Sequence, residues 1–178
     1  MRYTPLFFLA PMVLVQAQAN EYFSTETAQK ALFPAATSFT AKPLALDDAA
    51  RDEIERLSDV RQRWKEQPVW EAFDQQKFLG WYIEDRVIGK HEFIRYALAI
   101  SPAGKVIGIE IMEYLETYGD QVREASWRGQ FIGRDEHSGF KLGRDIQNIS
   151  GATLSCRNLT NGVKRLLVLQ QLYLKPPG

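Results

Sequence analysis

A chain of 178 residues, 45% hydrophobic and 25% charged, has the balance of one ordinary globular domain rather than of a disordered or fibrous protein. Its 22 basic and 22 acidic residues cancel, which leaves no overall field to attract nucleic acid or an anionic membrane surface. The single cysteine, Cys156, has no partner for an intramolecular disulfide, and without a second Cys or clustered His it does not read as a metal ligand.

The chain opens on Met1-Arg2-Tyr3-Thr4, runs almost wholly apolar from Pro5 to Val15 and then reads Gln16-Ala17-Gln18-Ala19. A short positive stretch, an apolar core and a small-x-small pair make residues 1–19 a signal peptide, with cleavage expected after Ala19 and export to a bacterial-type periplasm. The competing reading is a retained membrane anchor, which takes about 20 apolar residues, and this core is shorter. Without Arg2 the mature chain carries 21 basic against 22 acidic residues.

Residues 20–77 read as an N-terminal helical region. Ser24 is placed to cap a short helix that ends at Phe33 before Pro34. A second helix is predicted from Asp47-Asp48 to the stop at Pro68, because Leu46, Ala50, Ile54, Leu57, Val60 and Trp64 recur at steps of three and four. From Phe78 the texture becomes aromatic and β-branched, with strands expected over Gly80–Ile83, His91–Ile100 and Val106–Met112. Ser101-Pro102-Ala103-Gly104-Lys105 is a turn, so the last two strands form a hairpin. Glu110 between Ile109 and Ile111 predicts a sheet with one wet face. The segment from Tyr118 to Gly143 should be a loop with short helices, anchored by Trp127, Phe131 and Phe140. A final helix is expected from Ser155 to Leu172. The fold class is α+β, an antiparallel sheet with flanking helices, and residues 78–178 make up the main domain.

Chemistry gathers at Ser150-Gly151-Ala152-Thr153-Leu154-Ser155, where small residues and hydroxyls meet a helix start. Free backbone N–H groups and the positive end of the helix dipole suit an anion there, and small side chains allow close approach. Capping by Ser150, Thr153 or Ser155 is the plainer alternative. No Ser-His-Asp or Cys-His arrangement stands in a recognisable context, and His91 and His137 are isolated, so neither hydrolysis nor metal ligation is indicated.

The stretch from Phe78 to Leu167 resembles the FMN-binding domain family, whose signature Ser/Thr-Gly-Ala-Thr stands here as Ser150-Gly151-Ala152-Thr153. Glu116-Thr117-x-Gly119, Phe131-Ile132-Gly133 and the hairpin turn Gly104-Lys105-Val106-Ile107 match further stretches in the same order. The resemblance implies FMN joined through its phosphate to Thr153 by an ApbE-type flavin transferase, and a membrane-bound redox partner for an electron carrier. The residues it places at the cofactor are Thr153, Ser150, Gly151, Ala152, Leu154, Ser155 and Glu116. Trp127, Phe131, Tyr114 and Leu154 are candidate walls for the flavin ring and equally candidates for core. Glu113 and Glu116 either approach the flavin or are exposed strand-end carboxylates. One departure is Gln147, six residues before Thr153, where the family usually has Asp; Asp145 lies two residues earlier. Gln147 keeps open a non-redox periplasmic binding or accessory module that has lost its FMN, and a third reading is a freestanding flavin reductase with its own small substrate.

Overall fold

Eight to twelve consecutive residues with alternating apolar side chains pair best with neighbours of the same kind, and this region builds the centre of the molecule. The computed structural model describes residues 22–177, so the expected signal peptide and its cleavage point lie outside the described residues. In chain order come α1 (Thr25–Leu32), β1 (Ser38–Ala41), β2 (Leu44–Ala45), α2 (Asp48–Ser58), β3 (Glu66–Gln67), β4 (Val69–Asp74), β5 (Lys77–Ile88), β6 (Phe93–Ile100) and β7 (Val106–Tyr114). A short helix α3 (Ala125–Arg128), flanked by single turns of 3₁₀ helix, precedes the long helix α4 (Thr153–Tyr173). Five strands pair antiparallel in the order β1-β4-β5-β6-β7, and β2 with β3 forms a separate ribbon. The expected α+β class holds.

The region 20–77 is not the helical region its composition suggested. Strands β1 and β4 lie in it and extend the main sheet outward from β5. The second helix also stops early. Asp59 adopts a left-handed conformation (φ 56°), and the Ser58 hydroxyl donates to the Ile54 carbonyl at 2.6 Å and accepts from the Val60 N–H at 3.2 Å. Val60 and Trp64 therefore leave the helix, and the chain crosses to β3 with Gln62 buried beneath it.

Strand alternation sends Trp81, Ile83, Ile94, Tyr96, Leu98, Ile100, Ile109 and Ile111 into one core, against Leu159, Val163, Leu166 and Leu167 of α4 and Ile54 of α2. The opposite face was expected to be wet, and it is covered: Tyr82, Ala97, Ala99 and Met112 pack with Ala28 and Phe33 at α1. Small alanines on β6 let that helix approach closely. Glu110 is half-buried and pairs with Arg128 at 2.6 Å. The exposed edge of β7 is also closed, since the Tyr22 N–H donates to the Met112 carbonyl at 2.8 Å and the Gly133 N–H to the Val106 carbonyl at 2.8 Å.

Across the sheet from β5 to α4 runs a buried polar tie. The Arg165 guanidinium donates to Asp85 and to the Gln62 amide oxygen, and the Tyr96 hydroxyl donates to Asp85 at 2.7 Å. Asp85 and Arg165 are 0% and 4% exposed at their side chains. A charge in such a place is tolerated only when paired and hydrogen-bonded, and this contact sets where the middle of α4 lies on the sheet.

Candidate functional site

Helix α4 begins at Thr153, and its N-cap is Ala152, which has no side-chain oxygen to offer the first turn. The preceding Gly151 has φ 82°, a left-handed bend that turns an incoming extended chain into the helix axis. The Thr153 hydroxyl sits half-buried at this bend and accepts from the Asn148 amide at 3.1 Å. Ser155, the nearby hydroxyl, is only 3% exposed and lies 3.3 Å from the Tyr114 hydroxyl. The two candidate hydroxyls thus differ in access. Ser150 and Gly151 are exposed, Ala152 is buried, and Leu154 is 42% exposed beside the motif.

The segment that follows β7 is folded against this helix start. Gly119 has φ 91°, and a Cβ there would fall 2.3 Å from the Ala152 Cβ and 2.7 Å from the Tyr114 hydroxyl. Only a hydrogen fits between the loop and the motif. The Glu116 carboxylate accepts the N–H groups of His91 at 2.6 Å and Glu92 at 3.0 Å. Burial raises its pKa and these backbone donors lower it; the donors win and hold it below the usual carboxylate range. Glu116 therefore braces the β5–β6 loop, with its side chain at the rim of the cleft over Gly151–Ser155.

Aromatic residues offered as flavin walls fall mostly into the core. Trp127, Phe131 and Tyr114 are 4%, 0% and 2% exposed, and the Trp127 and Phe131 rings pack edge to face at 5.2 Å. Trp127 also donates its indole N–H to the Gln147 carbonyl at 2.8 Å, and the Gln130 amide oxygen accepts the Gln147 N–H at 2.7 Å. The backbone of Gln147 is pinned while its side chain is exposed. Asp145 differs: its carboxylate accepts from Arg144 at 2.9 and 3.0 Å and from the Lys141 N–H at 2.8 Å, which lowers its pKa to about 2. That carboxylate is engaged in its own loop. Glu113 sits half-buried on β7 and His137 is exposed.

Thr153 lies at the junction of two clefts. One, of about 350 Å³, runs between the motif and the Lys90, His91 and Tyr118 loops. The other, of about 430 Å³, is lined by Phe140, Lys141, Asn148, Arg157 and Asn161. Lys141 and Arg157 place positive charge near the uncapped first turn, a combination suited to phosphate. Neither residue was singled out from the sequence, nor was Asn148. The spacing Thr153, Arg157, Thr160/Asn161 is that of one helix face and was the signal available.

Residues 89–168 match the FMN-binding domain family, a stretch that runs from the loop before β6 to the body of α4. No curated protein matches the chain. Among solved structures, the chain is similar to the crystal structure of Shewanella oneidensis NqrC, at 19% sequence identity and a TM-score of 0.47, over 80% of this chain and 70% of that one. The stretch that matches this family holds both hydroxyls, the Glu116 and Gly119 loop and the pinned Gln147.

Proposed function

We propose that this chain is an exported electron carrier that holds FMN by a phosphoester bond to Thr153. The observation that carries the proposal is the difference in access between Thr153, half-exposed at the open start of α4, and Ser155, buried against Tyr114. The residues present fit the group. An uncapped first turn, Gly151 without a side chain, and Lys141 with Arg157 nearby supply donors and positive charge for a phosphodiester. Leu154 offers an exposed apolar surface beside it.

Attachment balances as a transfer from a flavin dinucleotide by an ApbE-type transferase. The Thr153 oxygen bonds to the FMN phosphorus, the hydroxyl proton leaves, and the remaining nucleoside monophosphate departs. Asn148 orients the hydroxyl by donating to its oxygen, which leaves the hydroxyl proton free to be taken. When bound, FMN exchanges one or two electrons. A covalent link suits a periplasmic protein, since a lost cofactor would not be replaced there, and a membrane-bound redox partner would supply or accept the electrons.

Co-expression with an ApbE-type transferase followed by intact-protein mass spectrometry tests the reading. Wild type should gain one FMN, Ser155→Ala should keep it, and Thr153→Val should carry none. A flavinylated Thr153→Val protein would overturn the assignment. Gln147→Asp should raise the fraction modified in a fixed time, because its exposed side chain is within reach of an enzyme that handles a cation-bound dinucleotide.

A further inference from the structure

A second sizeable groove lies away from the Thr153 motif. It lies between the 59–64 crossing, the end of β5, the start of β6 and the middle of α4, with a volume of about 650 Å³, inside the range of about 300–1,000 Å³ usual for small-molecule sites. Arg61, Arg63 and Arg86 line it, and among the described residues none of the three has an ion-pair partner, whereas Arg51, Arg128, Arg144 and Arg165 each have a carboxylate partner. Among the described residues Asp59 is the only acidic one lining the groove, and Arg165 is already neutralised by Asp85. Four arginines against one acidic residue among its described lining give the groove a local excess of positive charge.

The same groove holds aromatic surface. The Arg86 guanidinium lies 3.9 Å from the Trp64 ring centroid and 5.5 Å from that of Phe93, and the two rings stand 6.3 Å apart. Phe93 and the adjacent Ile88 are 46% and 48% exposed, an uncommon state for large apolar side chains beside a cavity. Stacking keeps the guanidinium flat and presents its N–H edge for a bidentate contact with an oxyanion. Asn161, on the groove's α4 side, adds an amide that can meet a ring heteroatom.

We propose that this groove is a second ligand site, for a small molecule that joins a planar aromatic ring to a phosphate or carboxylate. The ring packs against the exposed Phe93 and Ile88, and the anion meets Arg61, Arg63 and Arg86, the last held flat on Trp64. The groove's cations and rings come from the 59–64 crossing, β5 and β6 rather than from the Thr153 motif, and Asn161, which it shares with the cleft at Thr153, lies eight residues beyond Thr153, about 12 Å along a helix. The proposal goes beyond FMN attachment and does not depend on it.

Calorimetric titration of the full-length flavinylated protein and of Thr153→Val tests it, with AMP and 1-naphthoate as ring anions, adenosine and 1-naphthylmethanol as neutral rings, and inorganic phosphate as an anion without a ring. At least one ring anion should bind at least about tenfold more tightly than its neutral counterpart and than phosphate, and AMP against naphthoate decides between phosphate and carboxylate. The exposed double variant Arg61→Ser/Arg63→Ser should weaken that binding about tenfold or more, and Trp64→Ala should weaken it too, with unchanged thermal unfolding for the double variant. Equal binding of charged and neutral rings, or no effect of the double variant, would overturn the proposal. Binding to Thr153→Val but not to the flavinylated protein would also overturn it, by showing that the groove seats the flavin ring itself.

Discussion

The start and the middle of α4 obey opposite rules. At Arg165 the polar groups are buried and paired with Asp85, Gln62 and Tyr96, so that the helix can be held in one place on the sheet. At Thr153 the helix begins without a side-chain cap, and its hydroxyl is half-exposed with Asn148 as its partner. The difference sets buried, internally paired polarity against open polarity on a single helix. Buried polar groups must be satisfied within the fold, whereas unsatisfied ones at an open helix start are available to a ligand.

The largest expected effect lies at the buried end. Asp85→Ala strands the Arg165 charge and should cost about 3–5 kcal/mol in denaturant unfolding, with a smaller loss for Asp85→Asn, which keeps an acceptor. A loss below about 1 kcal/mol would erase the contrast between the two ends.

Gly119→Ala tests the support beneath the open end. A methyl group at φ 91°, 2.3 Å from the Ala152 Cβ, must push either the loop or the first turn of α4 away. Unfolding should cost about 1–3 kcal/mol, and the flavinylated fraction on co-expression should fall with it. An unchanged fraction would mean that the motif does not need this brace.

At the open end itself, Thr153→Val should alter stability by no more than about 0.5 kcal/mol while abolishing covalent FMN, since it removes one half-exposed hydroxyl. A large destabilisation would place Thr153 with the structural residues and break the comparison.

The smallest effect is one of pH. The folded-state pKa of Asp145, about 2, lies below the value of about 3.9 expected for the unfolded chain, because Arg144 and the Lys141 N–H stabilise the carboxylate. Its contribution is therefore full above about pH 4 and is lost as pH falls through about 2. The NMR signal of the Trp127 indole N–H, held by the Gln147 carbonyl next in the loop, should report the loosening, and Asp145→Asn should flatten its dependence on pH in that window.

What the chain states locally was legible without coordinates. Strands β5 to β7, the hairpin turn, the Ser24 and Asp47 helix starts and the small-residue entry to α4 each depend on neighbours within a few positions, so periodicity and turn chemistry reveal them. What depends on distant partners was not. Whether Ser38–Ala41 and Val69–Asp74 are strands depends on pairing with each other and with β5, and whether the second sheet face is wet depends on where α1 docks. Glu116 and its donors at His91 and Glu92 stand 25 and 24 residues apart, and Trp64 meets Phe93 across the β4–β5 hairpin. The motif Ser150–Thr153 was visible as letters, but access was not. Tyr114, 41 residues away from Ser155, closes off one hydroxyl while Thr153 stays open, because burial is a property of the packed chain and not of the residue.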